Sequence, residues 1–136
     1  MTKNIVGLLI ISMASAVLIG CAYHDKKDRL VYVSGNDSFV LKKECVSEMK
    51  LIPNQNRDKH PDAMILAMML NKSADCSGKL NSVFNENIGS TAAVYFNDVV
   101  ILEPTQISSE VKTELSFRQY IPDGKIGIKI LNAYQK

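Results

Sequence analysis

The sequence predicts an α+β domain, in which an antiparallel sheet of about five to seven strands is covered on one face by one main helix. Two observations support this fold class. Several short apolar runs with β-type spacing are separated by turn signals. A single longer segment has apolar residues at the period of a helix.

The predicted strands of the first half lie on either side of turn signals. Residues 30–33 and 39–41 flank a Ser-Gly-Asn-Asp turn, and residues 46–52 alternate in part. The apolar run 63–70 is ambiguous, because its Ala, Met and Leu favour a helix whereas its short length favours a buried strand. We interpret it as a strand. The polar loop 53–62, with two prolines, is a candidate mobile and functional segment.

The main helix is predicted over residues 73–87. Its apolar stripe consists of Leu80, Val83, Phe84 and Ile88. Ser73 or Asp75 can cap its start, and Gly89 can end it in a left-handed conformation. Cys76 lies on or near the stripe, which places it on the side of the helix that faces the sheet.

Strands are predicted again in the second half of the chain. Residues 91–96 and 99–103 flank Asn97-Asp98, a two-residue hairpin turn, and both runs are nearly all apolar. We therefore expect this hairpin to lie in the centre of the sheet. Residues 114–121 alternate, and a last strand is predicted where Ile126, Ile128 and Ile130 alternate with other residues.

The N-terminus has the layout of a bacterial lipoprotein signal. One basic residue, Lys3, precedes the uncharged run 5–18, which is shorter than the about 20 residues that a membrane span needs. The sequence Leu18-Ile19-Gly20-Cys21 then resembles the lipobox pattern. The predicted organisation is a signal peptide at 1–20, a polar tether at 21–29 and a single domain at 30–136. The alternatives are an ordinary secretory signal and an uncleaved anchor helix.

The lipobox resemblance implies a modified Cys21 and a location in the cell envelope. It implies diacylglyceryl attachment to the sulfur, cleavage before this residue and acylation of the new N-terminus with a chain such as palmitate. Several acyl chains anchor a protein stably to a membrane. Ala22 stands where an inner-membrane retention signal would have Asp, which favours the outer membrane, facing the periplasm.

Cys45 and Cys76 are a candidate disulfide, because the implied compartment is oxidising. The alternative is a pair of separately buried thiols. A metal site is not predicted, since there is no CxxC motif and His24 and His60 lie far from either cysteine in sequence.

The middle of the chain carries a recognisable order of motifs. These are Leu70-Asn71, the helix end Glu86-Asn87-Ile88-Gly89, and a strand, turn, strand and proline that continue without a gap from Asn87 to Pro104. In this order residues 60–107 resemble the head part of the large periplasmic domain of SecD, a Sec translocon accessory subunit. The resemblance also favours a strand at 63–70, and it implies a module that contacts emerging unfolded chains.

The resemblance has limits. Asp98 stands where that family usually has Gly, Glu103 stands where it usually has Ala, and the predicted hairpin 114–134 has no counterpart. SecD depends on transmembrane helices, whereas the longest apolar stretch after residue 20 is the run 63–70. Proton-driven export is therefore not carried over to this chain.

No catalytic residues and no cofactor are predicted. The chain lacks the nucleophile-elbow, zinc-protease and phosphate-loop motifs, and we expect His60 to be solvated in its loop. We expect the acid pairs Glu44/Glu48 and Glu110/Glu114 to be solvated, and Met64, Met68 and Met69 to fill the core. The formal net charge of +2 gives no reason to expect a nucleic-acid partner.

Three functions remain open at the level of the sequence. The first is a lipid-anchored, periplasm-facing module that binds unfolded or envelope proteins. The second is a structural or interaction lipoprotein of an envelope assembly or exclusion system. The third is a small envelope enzyme.

Overall fold

The computed structural model describes residues 26–135, and this part of the chain has the predicted α+β fold. Its strands are β1 (Leu30–Ser34), β2 (Asp37–Val40), β3 (Val46–Pro53), β4 (Met64–Leu70), β5 (Thr91–Phe96), β6 (Val99–Gln106) and β7 (Phe117–Ile121). Its α-helices are α1 (Lys79–Asn85) and α2 (Gly124–Tyr134). A 3₁₀ turn at Lys43–Cys45 precedes β3, and a π-helical turn at Ala74–Gly78 leads into α1.

The strands form two antiparallel sheets. The first sheet has four strands in the order β2-β1-β5-β6, and the second has three in the order β3-β4-β7. The predicted tight turns are confirmed. Asn97 and Asp98 have φ values of 50° and 63°, as the two-residue turn between β5 and β6 requires, and Gly35 has φ 58° between β1 and β2.

The inner faces of the two sheets meet around Tyr32, which is fully buried. Its ring makes edge-on contacts with Phe84 of α1 and with Phe117 of β7, at centroid distances of 5.8 and 6.1 Å. Helix α1 thus packs near the middle of β1. Helix α2 packs against β3, β4 and β7 of the second sheet, and at its end the Tyr134 hydroxyl reaches the start of β1, where it accepts a hydrogen bond from the Leu30 amide at 2.8 Å.

The predicted N-terminal cap of the main helix is confirmed, whereas the predicted stripe of buried apolar residues extends one residue too far. The Ser73 hydroxyl accepts a hydrogen bond from the Cys76 amide at 3.2 Å, and Gly89 adopts a left-handed φ of 92°. Ile88 was expected to face the core but is 51% exposed. The helix ends at Asn85, so Ile88 no longer follows the helical period.

The predicted last strand is wrong, because residues 124–134 form helix α2. The Asp123 carboxylate caps the helix by accepting a hydrogen bond from the Lys125 amide at 2.9 Å. The buried stripe is Gly127, Ile130 and Tyr134, whereas Ile128 is 52% exposed. The alternation of Ile126, Ile128 and Ile130 fits a strand, but Ile126, Ile130 and Ala133 also recur at helical spacing and pack against the core.

Two further expectations about the second half need correction. Only β5 of the apolar hairpin is central, because β6 is an edge strand of the first sheet. The strand predicted over 114–121 begins only at Phe117, and Leu115 is 65% exposed.

Candidate functional site

The two sheets leave an open seam where β6 runs beside β7. Each of these strands pairs on one side only, β6 with β5 and β7 with β4, and within residues 26–135 their other edges have no strand partner. A groove of about 380 Å³ lies along this seam. We call it the seam groove; its principal lining residues are Phe84, Val94, Leu102, Phe117 and Gln119.

The seam groove has an apolar floor and a polar rim. Phe84 and Val94 are buried in the floor, and Phe117 is half-buried beside them. The rim carries hydroxyls from Thr105, Ser108 and Ser109, and Arg118 adds a charged side chain. Such a combination fits a ligand with apolar side chains on one face and polar groups on the other.

Gln119 places a polar amide in the wall of the groove. It is only 4% exposed, and its Oε1 accepts a hydrogen bond from the Tyr32 hydroxyl at 2.9 Å. Burial, with a smaller contribution from nearby Tyr134, raises the pKa of Tyr32 well above its ordinary value, so the hydroxyl stays protonated and can donate.

The Nε2 of Gln119 is buried without a hydrogen-bond partner among the described residues. Leaving a buried donor unsatisfied costs about 1–3 kcal/mol, and folded proteins rarely tolerate such a group without a reason. This unsatisfied donor lies inside the wall of the seam groove.

The irregular segment 107–116 forms one wall of the groove and is held in place by asparagines of α1. The Asn85 amide accepts from the Val111 amide at 2.8 Å and donates to the Val111 carbonyl at 3.1 Å. Asn81 Oδ1 accepts from both the amide and the hydroxyl of Thr113, at 2.9 and 2.8 Å. Together with the hydrogen bond from the Leu70 amide to the Thr113 carbonyl at 3.0 Å, these side-chain bonds fix the wall.

Glu114 at the end of this wall is also tied to α1. Asn81 Nδ2 donates to its carboxylate at 2.8 Å, and this bond is the main cause that lowers the pKa of Glu114 from its ordinary value. Among the four glutamates of the two acid pairs considered from the sequence, Glu114 thus has a hydrogen-bond partner, Asn81. Glu48 instead lies 3.7 Å from Lys50 on the exposed surface of β3.

The loop singled out from the sequence, residues 53–62, borders the groove through one contact. The His60 ring packs edge-on against the ring of Tyr120, at a centroid distance of 6.3 Å, and Tyr120 also lines the groove. The methionines of β4 are not gathered into one cluster. Met68 is buried in the core, and its neighbour Met69 is 37% exposed on the opposite face.

Cys45 and Cys76 form a disulfide in the structure, with their Cα atoms 5.2 Å apart. The bond joins the 3₁₀ turn before β3 to the π-helical turn before α1. Cys21, the predicted site of lipid attachment, lies outside the described residues, as do the signal peptide and most of the tether.

Across residues 26–135, no helix combines the length and the hydropathy that crossing a membrane requires. Comparison of the chain with protein-family models, with curated proteins and with solved structures found no match in any of the three.

The seam groove was not predicted from the sequence. Two signals in the sequence could have indicated it. Gln119 is a polar residue at a core-facing position of its strand, and the hairpin at 91–103 is apolar on both faces although a strand with one buried face needs apolar residues on that face only. Neither signal identifies which strands would be left as open edges.

Proposed function

We propose that this protein is a lipid-anchored module of the bacterial envelope that binds extended segments of other polypeptides. The observation that carries the proposal is the seam groove, an apolar channel between two strand edges that lack partners in the described domain. The groove suits an extended chain, because an open strand edge offers a row of backbone donors and acceptors.

The proposed binding mode is addition of a strand to β7. An added strand lies about 4.8 Å from its neighbour, and its side chains alternate between the two faces of the sheet. Every second side chain of the ligand then points to the floor at Phe84 and Phe117, and the others point to solvent beside Arg118. Pro104 interrupts the donors of β6, so β7 is the better template.

The resemblance of residues 60–107 to the SecD head supports the same proposal. The segment includes β4, α1, β5 and β6, and thereby contributes Phe84, Val94 and Leu102 to the groove. A head-like module implies contact with unfolded chains as they emerge from a translocon, and an extended segment is the conformation in which such chains can enter the groove.

The proposed location follows from Cys21 and Ala22. Acyl chains on Cys21 hold the domain at a membrane surface, and the absence of Asp at position 22 favours the outer membrane, facing the periplasm. The protein would then meet polypeptides that have crossed the inner membrane.

Photocrosslinking in living cells tests this function. A photoreactive residue replaces Thr105 on the groove rim, and a matched control carries it at Ile128, an exposed position on α2. We expect the rim position to capture many secreted polypeptides and the control position to capture few. Equal capture from the two positions contradicts the proposal.

The same experiment separates the main alternative. Capture of one discrete envelope protein would favour a structural or interaction lipoprotein of an envelope assembly. Adding Leu102→Glu, which places a charge in the apolar floor, should reduce capture at the rim at least several-fold if the groove itself holds the ligand. Ile128→Glu is the control for the added charge.

A further inference from the structure

The outer face of the first sheet carries apolar side chains across its whole width. Strand register places Val31 opposite both Val40 and Tyr95, and it places Tyr95 opposite Val100. Directly opposed residues of antiparallel strands project from the same face. These four residues therefore form one row across all four strands, which we call the outer row: Val40, Val31, Tyr95 and Val100.

The outer row lies on the face away from the core. Its neighbours along β1, Leu30 and Tyr32, are buried on the inner face, where α1 packs and where Tyr134 of α2 reaches Leu30. Val31, Val40 and Tyr95 are half-buried, and Val100 is 42% exposed. Val99 lies opposite the buried Phe96, so it projects from the other face and does not belong to the row.

The chain enters the domain next to this row. The Asp28 amide donates to Asn97 Oδ1 at 2.7 Å, and Asn97 Nδ2 donates back to the Asp28 carboxylate at 2.9 Å. These two bonds fasten the end of the tether to the turn between β5 and β6, immediately before Val99. Cys21 precedes Lys26 by five residues, which span at most about 18 Å.

Residue type at this end suits a lipid headgroup region. Lys26 and Lys27 are exposed, and the carboxylates of Asp28 and Asp98 lie beside them and balance their charge. Such a mixture of basic and acidic groups suits zwitterionic headgroups, and a tyrosine such as Tyr95 suits the boundary between acyl chains and headgroups.

We propose that the outer row docks on the surface of a phospholipid bilayer. This inference rests on the proposed anchoring through Cys21 and goes beyond it: the anchor sets the distance to the membrane, whereas the outer row sets the orientation. Val100 belongs to β6, whose other edge borders the seam groove. The groove then opens beside the membrane surface rather than away from it.

A single tryptophan tests the orientation, because the natural sequence contains none. Val100→Trp is compared with Ile128→Trp, each in the chain beginning at Cys21. The Cys21 thiol is coupled to a maleimide lipid in phosphatidylethanolamine–phosphatidylglycerol vesicles. This coupling makes the test independent of natural acylation, and the other two cysteines are already paired. The measurement is quenching of tryptophan fluorescence by brominated acyl chains.

We expect bromolipid to quench Val100→Trp at least twofold more than Ile128→Trp, with a blue shift of its emission. Equal, weak quenching at both positions would overturn the docking proposal. A blue shift without quenching, together with a doubled mass in solution, would also overturn it and would assign the row to a second copy of the chain. Metabolic labelling of Cys21 with palmitate tests the natural anchor separately, so the two proposals can fail independently.

Discussion

The two sheets of this domain bury similar inner faces but present different outer faces. On the second sheet the middle outer row is Lys50, Ala67 and Arg118, with charged side chains on both edge strands. On the first sheet the corresponding row is Val40, Val31, Tyr95 and Val100. An antiparallel sheet that faces water normally carries polar residues on that side.

The difference shows that apolar content alone does not reveal what covers a sheet. The second sheet also has an apolar outer row, formed by Ile52, Ile65 and Tyr120, but His60 of the 53–62 loop packs against it. No comparable loop contact is seen over the outer row of the first sheet within the described residues. An apolar face of this width indicates an interaction surface.

The largest effect on stability is expected at the contact between the buried inner faces of the two sheets. Tyr32→Ala removes a fully buried ring that touches both Phe84 and Phe117. It should lower the free energy of unfolding by about 3–5 kcal/mol, measured by urea denaturation of the unlipidated domain. Both sheets should unfold in one transition. Separate transitions for the two sheets in the natural chain would show that they do not unfold as one cooperative core.

Tyr32→Phe is the matched control for that measurement. It keeps the ring and removes only the hydroxyl that donates to Gln119. The expected loss is smaller, about 1–3 kcal/mol, because a buried amide acceptor is left without its donor. A loss as large as that of the alanine variant would contradict the assignment of most of the stability to ring packing.

The next effect concerns the disulfide between Cys45 and Cys76, which joins the turn before β3 to the turn before α1. The disulfide closes a loop with a sequence separation of 31 residues, and replacing both cysteines with alanine should cost about 3–4 kcal/mol in the chain-entropy description. Thermal unfolding of the double variant measures this loss. If reduction destabilises the natural chain but not the double variant, the bond itself is responsible; equal sensitivity of both would exclude that explanation.

A smaller effect on stability, but a specific effect on docking, is expected from the outer row. Val100→Glu and Ile128→Glu each replace an exposed apolar side chain, so each should change the free energy of unfolding by no more than about 0.5 kcal/mol. On lipid-coupled chains with a Tyr95→Trp reporter in the outer row, only Val100→Glu should reduce quenching by brominated lipid. Reduction by both variants would mean that added charge alone is responsible.

The smallest effect is a pH dependence at Glu114. The Asn81 hydrogen bond lowers the pKa of Glu114 in the folded state below its unfolded value. Its contribution to stability is therefore present above the unfolded pKa and is lost as pH falls through the folded pKa. The difference in Tm between the natural chain and Glu114→Gln should shrink as pH falls below about 4. A difference that persists at the lowest pH would contradict the assignment.

Local features were predictable from the sequence in this chain. Gly35 and Asn97-Asp98 indicated their turns, and Ser73 indicated a helix cap, because each depends on residues a few positions apart. The C-terminal helix was not predicted because the alternation of Ile126, Ile128 and Ile130 fits a strand as well as Ile126, Ile130 and Ala133 fit a helix. A Cβ at Gly127 would lie 3.2 Å from a methyl of Leu51, so the glycine allows α2 to pack closely against β3.

The sequence by itself determined the fold class, most of the strands, the tight turns and the pair of cysteines that could bridge. Only the tertiary structure decided that the strands divide between two sheets, that β6 and β7 are left as open edges, and that Gln119 lies beside the groove between them. The physical reason is that periodicity shows which side chains turn inward together, whereas the pairing of strand edges depends on contacts between distant segments. The same reason applies to the outer row. The sequence shows that both faces of the hairpin at 91–103 are apolar, but only the tertiary structure shows which of the two faces the helices leave uncovered.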